Sequence, residues 1–462
     1  MLNQVKENKM RGGPDPYIST TNACKLCTPL GACIAFKGVE GCVPFLHGSQ
    51  GCATYMRRYI ISHYREPVDI ASSSLGENDA IYGGGPNLMQ GLLNVMDKYQ
   101  PGLMGVASTC LTETIGDDMP MIVRQFRKEF ENMDIPEIVM VSTPSYSGTH
   151  MQGFHAAVHA LVTQLVKKSA DHGGINIFPG LVSPEDIRYV KQICCDYELD
   201  AVILPDFSET LDGAIKEDLE MIPSGGTPVS SIKSMGGAKM SIELGLCADQ
   251  KLSSSICLEK EHNVPAHRVL MPVGLRATDK FMDILSQASG KDMPRNHELE
   301  RGRLIDAYVD SHKYIFGKKC VVYGEEDLVA GLTSFLVEMG AHPVMVATGG
   351  KSKVFEQSIK EVCQGMLSYS PATLSGVDFY QIVEQAEELK PDFIVGNSKG
   401  YRIAARKWNI PLIRVGFPVH DRVGASRIRH IGYSGAHELL IRIVNSLLDK
   451  KQTDSGVGYG YM

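Results

Sequence analysis

Residues 103–120, LMGVASTCLTETIGDDMP, carry the pattern that decides the fold of this 462-residue chain. The stretch opens with a short apolar run, LMGVAS (103–108), which has the length of a buried β-strand. Cys110 follows in a polar segment, directly after this run. In doubly wound sheets, ligands bind outside the carboxyl ends of the strands. We therefore expect Cys110 to lie at the edge of a parallel sheet, where a ligand can reach it.

The same pattern repeats along the chain. Amphipathic segments such as MQGFHAAVHALVTQLVKKSA (151–170) and AHELLIRIVNSLLDKK (436–451) alternate with short apolar runs. Strands that alternate with helices predict an α/β fold with doubly wound parallel sheets covered on both faces. The further runs are EIVMVST (137–143), INIFPG (175–180), DAVILPD (200–206), KKCVVYG (318–324), HPVMVAT (342–348), DFIVGNS (392–398) and PLIRVGFP (411–418).

The chain is too long for one hydrophobic core, and its length suggests two to four domains. Breaks in the pattern predict boundaries near residues 160 and 295. We expect one α/β domain over residues 1–160 that carries the candidate ligands, a second over 161–295 and a third over 296–450. Residues 451–462 are expected to form a C-terminal tail.

Composition excludes several classes of function. A formal net charge of −7 argues against nucleic acid or an anionic membrane as the main partner. The chain has no apolar run long enough to span a membrane, and its polar amino terminus does not resemble a secretory signal, so we expect a cytoplasmic protein. Neither a G-x-G-x-x-G motif after a strand nor a P-loop occurs, so nucleotide binding is not supported.

Residues 22–55, NACKLCTPLGACIAFKGVEGCVPFLHGSQGCATY, contain five of the twelve cysteines. Disulfides are rare in a reducing cytoplasm. A structural zinc site usually needs two Cys-x-x-Cys pairs, and this segment has one, Cys24 and Cys27. Two glycines precede Cys52 in LHGSQGC and allow a close backbone approach to a bulky inorganic group. Cys27, Cys52 and Cys110 lie on three separate predicted loops. Thiolates placed in this way can bind one face of an iron–sulfur cluster, and a second chain can bind the opposite face.

Blocks along nearly the whole chain resemble one family. They are CTPLGA (27–32), LHGSQGC (46–52), ISHYREP (61–67), STCLTETIGDD (108–118), STPSYSGTH (142–150), ERGRLIDAYVDSH (300–312), PDFIVGNSKG (391–400) and PLIRVGFPVHDR (411–422). They look like the signature blocks of the β-type subunit of nitrogenase component 1. The resemblance implies three Rossmann-like domains, an α2β2 heterotetramer with an α-type subunit, and an iron–sulfur cluster held between the two kinds of chain.

The resemblance also implies roles for individual residues. Cys27, Cys52 and Cys110 are the implied cluster ligands. Ser145 falls where catalytic β subunits place a serine that can bind the oxidised P-cluster, and the alternative for Ser145 is a loop serine that caps the helix near His150. His47 is expected to be a hydrogen-bonding scaffold residue. The remaining cysteines are expected to pack as small apolar side chains.

Proteins with this β-type fold have one of two functions. The LPDFSETLDG (204–213) and GGTPVSSIKSMGGAKMSIELG (225–245) blocks resemble the scaffold on which the iron–molybdenum cofactor is assembled, and we favour that interpretation. The alternative is the catalytic β subunit of nitrogenase or a nitrogenase-like reductase. The resemblance implies that the cluster is an eight-iron P-cluster or a four-iron cubane, and that the partner chain holds a molybdenum–iron type cofactor or its precursor.

In either case the resemblance implies that an ATP-dependent iron protein delivers the electrons, and that the chain is a subunit of an oxidoreductase complex and is not active alone. An alternative from a different functional class is a non-catalytic module that binds a small ligand in its doubly wound domains. Such a module would be colourless, whereas an iron–sulfur protein is brown.

Overall fold

The computed structural model describes residues 24–215 and 220–457. Within these ranges the strands form three separate sheets, and every pairing between strands is parallel. Helices connect the strands. The predicted α/β fold with parallel sheets is therefore confirmed.

The first sheet has the strand order β2-β1-β3-β4. Its strands are β1 (Cys42–His47), β2 (Ala71–Ser72), β3 (Leu103–Ser108) and β4 (Glu137–Val141). The helices of this part of the chain are α1 (Thr28–Lys37), α2 (Gln50–Tyr64), α3 (Asp79–Tyr82), α4 (Gly85–Tyr99), α5 (Cys110–Ile115), α6 (Met119–Glu129) and α7 (His150–Leu165).

The second sheet has the order β6-β5-β7-β8. Its strands are β5 (Ile175–Phe178), β6 (Ala201–Ile203), β7 (Met240–Leu244) and β8 (Ala266–Val269). They alternate with α8 (Pro184–Asp196), α9 (Val229–Ser234), α10 (Ser254–His262) and α11 (Leu275–Ser289).

The third sheet has the order β11-β10-β9-β12-β13. Its strands are β9 (Lys319–Gly324), β10 (His342–Thr348), β11 (Ala372–Ser375), β12 (Phe393–Gly396) and β13 (Leu412–Arg414). The helices are α12 (Arg295–Ile315), α13 (Glu326–Glu338), α14 (Phe355–Cys363), α15 (Phe379–Ala386) and α16 (Gly432–Asp454), with a π-helix over Arg402–Trp408.

Helix α16 extends as far as Asp454, into the segment 451–462 that we expect to be a tail. The proposed domain boundaries near residues 160 and 295 stay predictions. Among the described helices, none has the length and apolar character needed to cross a membrane.

Helices α1 and α7 pack with their backbones in close contact, and glycines make this possible. A Cβ atom on Gly31 of α1 would lie 1.7 Å from the carbonyl oxygen of His150, and one on Gly153 of α7 would lie 1.9 Å from that of Thr28. Every residue of α1 is buried. This contact fixes the start of α1 against the loop that precedes α7, and the candidate ligands lie there.

Candidate cluster-binding site

The three cysteines with implied ligand roles each lie at the start of a helix. Cys27 is the N-cap residue of α1, Cys110 is the first residue of α5, and the main-chain N–H of Cys52 closes the first turn of α2 by donating to the Ser49 carbonyl at 3.1 Å. Helix N-termini carry partial positive charge and favour thiolates over thiols. The three helix starts therefore place partial positive charge near these sulfurs.

Two of the cysteines reach the site from neighbouring strands. Strand β1 ends at His47 and β3 ends at Ser108, and these two residues are partners in the sheet register. Cys52 and Cys110 lie in the helices that follow these strands. Because both strands run in the same direction, their carboxyl ends meet at the same edge of the sheet. The expected position of Cys110 after a strand is confirmed.

The three thiols influence one another and are partly exposed. Burial raises the pKa of the Cys27 thiol, a hydrogen bond with the Ser145 side chain opposes this effect, and the thiols of Cys110 and Cys52 raise the pKa further. Cys27, Cys52 and Cys110 are each intermediate in exposure. The sulfur atoms therefore lie near one another at the surface of the chain, where a shared ligand and a second chain can reach them.

Ser145 connects two of these thiols. Its main-chain N–H donates to the Sγ of Cys110 at 3.2 Å, and its side chain hydrogen-bonds to Cys27. The Ser145 hydroxyl also accepts from the main-chain N–H of Thr28 at 3.2 Å, in the first turn of α1. The N-cap of α7 is Thr149, whose hydroxyl accepts from Gln152. Ser145 therefore does not cap the helix that begins at His150.

The geometry fits a group larger than a single ion. Within residues 24–215 and 220–457, no three His, Cys, Asp or Glu side chains converge closely enough to hold one metal ion. The three cysteines instead present partly exposed thiols from three helix starts, with a main-chain N–H directed at one sulfur. Thiolate ligands with hydrogen bonds to sulfur are typical of iron–sulfur sites. Cys27, Cys52 and Cys110 thus fit one side of such a cluster, with Ser145 beside them.

The other cysteines of residues 22–55 do not join this site. Cys24, Cys33 and Cys42 are buried. Burial raises the pKa of Cys24 to about 12 and that of Cys42 to about 12, and it also raises the pKa of Cys33. These thiols are protonated at neutral pH and pack as apolar side chains, as expected.

The six cysteines beyond the first sheet differ in their exposure. Cys194, Cys247, Cys320 and Cys363 are buried, Cys257 is partly exposed and Cys195 is exposed.

His47 is a scaffold residue, as expected from the sequence. Its side chain is fully buried, with Nδ1 2.9 Å from the Ser73 hydroxyl and Nε2 3.1 Å from the Asp117 carboxylate. Burial lowers the pKa of His47, and Asp117 opposes that change. The Ser73 hydroxyl accepts a hydrogen bond from the main-chain N–H of Gly48 at 2.9 Å, so Ser73, His47 and Asp117 together hold the loop before Cys52. Ser73 is buried, so this serine is not an exposed nucleophile.

Sequence reasoning missed several of these contacts. We expect Asp117 and Asp118 to charge or cap the next helix, and Asp118 does accept from Met121 at the start of α6, whereas Asp117 pairs with His47. Glu113 accepts hydrogen bonds from the Ser108 and Ser142 hydroxyls and so ties α5, which carries Cys110, to the ends of β3 and β4. Only the acidic character of these positions was visible in the sequence.

Arg57 and Arg58 follow Cys52 on α2, Arg65 is the first residue after that helix, and all three are exposed. Arg57 donates to the Val68 carbonyl at 2.8 Å, and Arg65 donates to the His420 carbonyl at 3.0 Å. These two contacts attach the helix to neighbouring loops.

Comparisons with known proteins indicate the family of this chain. A family model described as nitrogenase component 1 type oxidoreductase matches residues 27–448. The nitrogenase molybdenum-iron protein beta chain of Clostridium pasteurianum is 36% identical over 434 residues, which cover 93% of each chain. The protein of the same name from Azotobacter vinelandii is 33% identical, over 93% of this chain and 84% of that protein.

A solved structure, described as nitrogenase Cp1 at pH 6.5, superposes with a TM-score of 0.92 at 33% identity, over 99% of this chain and 98% of that one. A family match over most of the chain, relatives above 30% identity over nearly their whole length, and this structural agreement point to one assignment. The chain belongs to the nitrogenase component 1 family, as a β-type subunit.

Proposed function

We propose that this chain is an electron-relaying β subunit, which shares an iron–sulfur cluster with an α-type partner. Cys27, Cys52 and Cys110 are the proposed protein ligands on this side of the cluster. The observation that carries the proposal is the pair of contacts from Ser145 to the thiols of Cys27 and Cys110. A serine in this position supplies a hard oxygen ligand beside thiolates, which suits a cluster that is reversibly oxidised.

The bound cluster would supply one-electron transfer, and this chain's residues would hold and tune it. The starts of α1, α2 and α5 place partial positive charge at the three sulfurs. The Ser145 N–H stabilises negative charge on the Cys110 sulfur. Glu113 and the His47–Asp117 pair keep the Cys110 and Cys52 segments in place. These contacts would favour the reduced, more negative cluster and would hold the ligand segments in place.

The proposed partners are an α-type subunit in an α2β2 assembly and an ATP-dependent iron protein. Helix α3 packs against α5, which begins at Cys110, and exposes Ile81 at 76% and Tyr82 at 86%. An exposed apolar patch next to a ligand-bearing helix is a suitable docking surface for an electron donor. We place the iron protein there. The relatives named as molybdenum-iron protein beta chains support a molybdenum–iron type cofactor on the α-type partner.

Mössbauer and EPR spectroscopy of the anaerobically purified complex test this function. A fused eight-iron cluster whose signal changes on oxidation supports the electron-relay role. A colourless, iron-free complex overturns the cluster assignment and favours a binding module.

The second candidate is a scaffold for assembly of the iron–molybdenum cofactor. The blocks at 204–213 and 225–245 favour it, because they resemble assembly-scaffold β chains. A single four-iron cubane at the interface, unchanged in structure on oxidation, would support this candidate against the first.

A further inference from the structure

A cavity of about 670 Å³ lies at the edge of the third sheet where its strands begin. Lys318, Asp392 and Ile410 line it, and each stands just before β9, β12 or β13 in the chain. The C-terminal parts of α12 and α16 complete the wall. The cavity has the size of a small-molecule site, and none of the cluster-binding residues lines it.

Trp408 brings an unpaired hydrogen-bond donor to this wall. Its indole Nε1 is buried and has no hydrogen-bond partner in the part of the chain that the structure describes. The indole N–H can only donate, and when buried it normally has an acceptor. A molecule in the cavity that carries an oxygen acceptor can therefore complete the hydrogen bonding of Trp408.

The backbone that places Trp408 has an unusual form. Residues Arg402–Trp408 form a π-helix, and Asn409 follows in the left-handed region with φ 50°. The main-chain N–H of Asn409 donates to the Ala404 carbonyl and so closes the last turn. π-Helical turns are rare and frequently occur at functional sites. This turn brings Trp408 and Asn409 into the wall of the cavity.

Positive charge exceeds negative charge in the wall. Its charged side chains are four lysines and two aspartates: Lys313, Lys318, Lys450, Lys451, Asp392 and Asp454. Asp392 pairs with Lys318 at 3.0 Å, and Asp454 pairs with Lys450. The C-terminal ends of α12 and α16 add about −0.5 charge each, which leaves the wall with a net positive charge. The cavity therefore favours an anionic ligand.

A phosphate ester meets both requirements of this wall, a negative charge and an oxygen acceptor. Its terminal oxygens are strong acceptors that together carry up to about two negative charges, whereas a carboxylate carries a single charge on fewer oxygens. Lysine side chains commonly bind phosphate groups. Apolar side chains, among them Ile410, Leu447 and Leu448, line another part of the wall and suit an organic group.

We propose that this cavity binds a small organic phosphate monoester, with a phosphate oxygen on the Trp408 N–H and the organic group on Ile410 and Leu447. The lysines of the wall, Lys313 among them, supply the opposite charge. This combination selects against inorganic phosphate, which lacks the apolar part, and against neutral aromatic molecules, which lack the charge.

Isothermal titration of the full-length protein, purified with the subunit it assembles with, tests the proposal. The probe is phenyl phosphate, and the matched compounds are inorganic phosphate, benzoate and phenol. Phenyl phosphate should bind at least about tenfold more tightly than each of them. Equal binding of inorganic phosphate or benzoate would show an anion site without this selectivity, and equal binding of phenol would show an apolar cavity only. Each of these results, or no heat above dilution with phenyl phosphate, overturns the proposal.

Variants test whether the ligand lies in this cavity. Trp408→Phe keeps an aromatic ring and removes the N–H, so phenyl phosphate should bind at least about tenfold more weakly. Lys313→Met removes one positive charge of the wall and should weaken phenyl phosphate by about threefold without changing phenol binding. Lys319→Met is the control, because Lys319 is exposed and donates to the Leu389 carbonyl outside the cavity. Unchanged binding by Trp408→Phe, or by Lys313→Met if Trp408→Phe does not fold, overturns the proposal.

Discussion

The main-chain N–H of Ser145 donates a hydrogen bond to the Sγ of Cys110 at 3.2 Å. The Ser145 side chain contacts Cys27, so one residue in the loop between β4 and α7 touches two of the three candidate sulfur ligands. Its N–H belongs to the backbone and persists in any non-proline variant. Effects of the Ser145 hydroxyl can therefore be measured separately from those of its N–H.

Ser145→Ala should leave iron content unchanged and alter the oxidised cluster. The variant loses the acceptor for the Thr28 N–H, which should lower the free energy of unfolding by about 1 kcal/mol. EPR during stepwise oxidation and urea denaturation measure the two effects. Ser147→Ala is the control, because that hydroxyl donates to the Pro144 carbonyl in the same loop. Identical oxidised spectra for Ser145→Ala and the unmodified protein would exclude a ligand role for the hydroxyl.

Cys110→Ala should lose most of the cluster iron, because one thiolate on this side of the cluster is removed. Iron analysis of the complex purified without oxygen measures the loss. Cys195→Ala is the matched control, because Cys195 is exposed on α8 and should bind no iron. Full iron content in Cys110→Ala would show that this thiol is not a ligand.

Gly31→Ala should separate α1 from α7. The new Cβ atom would lie 1.7 Å from the His150 carbonyl oxygen, so the helices must move apart. Forced overpacking of this kind costs about 1–3 kcal/mol of stability. The shift also moves Cys27 away from Ser145, so iron content should fall together with the urea midpoint.

Gly302→Ala is the control for this change, since a Cβ atom on Gly302 meets no atom within 4 Å. Replacing glycine by alanine inside the exposed part of α12 should stabilise the protein by about 0.5–1 kcal/mol. A stable Gly31→Ala variant with full iron content would contradict the role of the α1–α7 contact.

His63 should make stability depend on pH below neutrality. Burial lowers the pKa of His63 to about 3, and its Nδ1 accepts the main-chain N–H of Val419 at 2.9 Å. The unfolded chain binds a proton at His63 below about pH 6.5, and the folded chain does not until about pH 3. The free energy of unfolding should therefore fall by about 1.4 kcal/mol per pH unit as the pH drops from 6.5.

Urea denaturation between pH 7 and pH 5 of the unmodified protein and of His63→Gln measures this contribution. Glutamine keeps a side-chain acceptor for Val419 but does not titrate. The stability of His63→Gln should depend less steeply on pH, by about one proton. Parallel pH profiles for the two proteins would show that His63 does not titrate as its burial requires.

The strands that were predicted correctly lie in short, mainly apolar runs, whereas β1, β2, β7, β8 and β11 were not predicted. Residues 103–108 and 318–324 contain β3 and β9, because strands buried on both faces need apolar side chains throughout. Strand β1 (Cys42–His47) was missed although it lies between β2 and β3. It contains Pro44, which cannot donate to a ladder and normally indicates an edge strand.

Part of the candidate site was also visible in the sequence. Cys27, Cys52 and Cys110 stand out through the crowding of cysteines in residues 22–55, the glycines before Cys52 and the strand before Cys110. The sequence did not reveal the partner of His47, because Asp117 resembles an ordinary acidic residue at the start of a helix.

The sequence by itself determined the alternation of strands and helices and the choice of thiols, because burial pattern and residue chemistry are local properties. Tertiary structure alone decided that α1 and α7 touch through glycine, that Ser145 reaches two sulfurs, and that Asp117 pairs with His47. Each of these depends on the distance between residues far apart in the chain. Such distances are fixed by how helices and sheets pack together, and no local pattern encodes them.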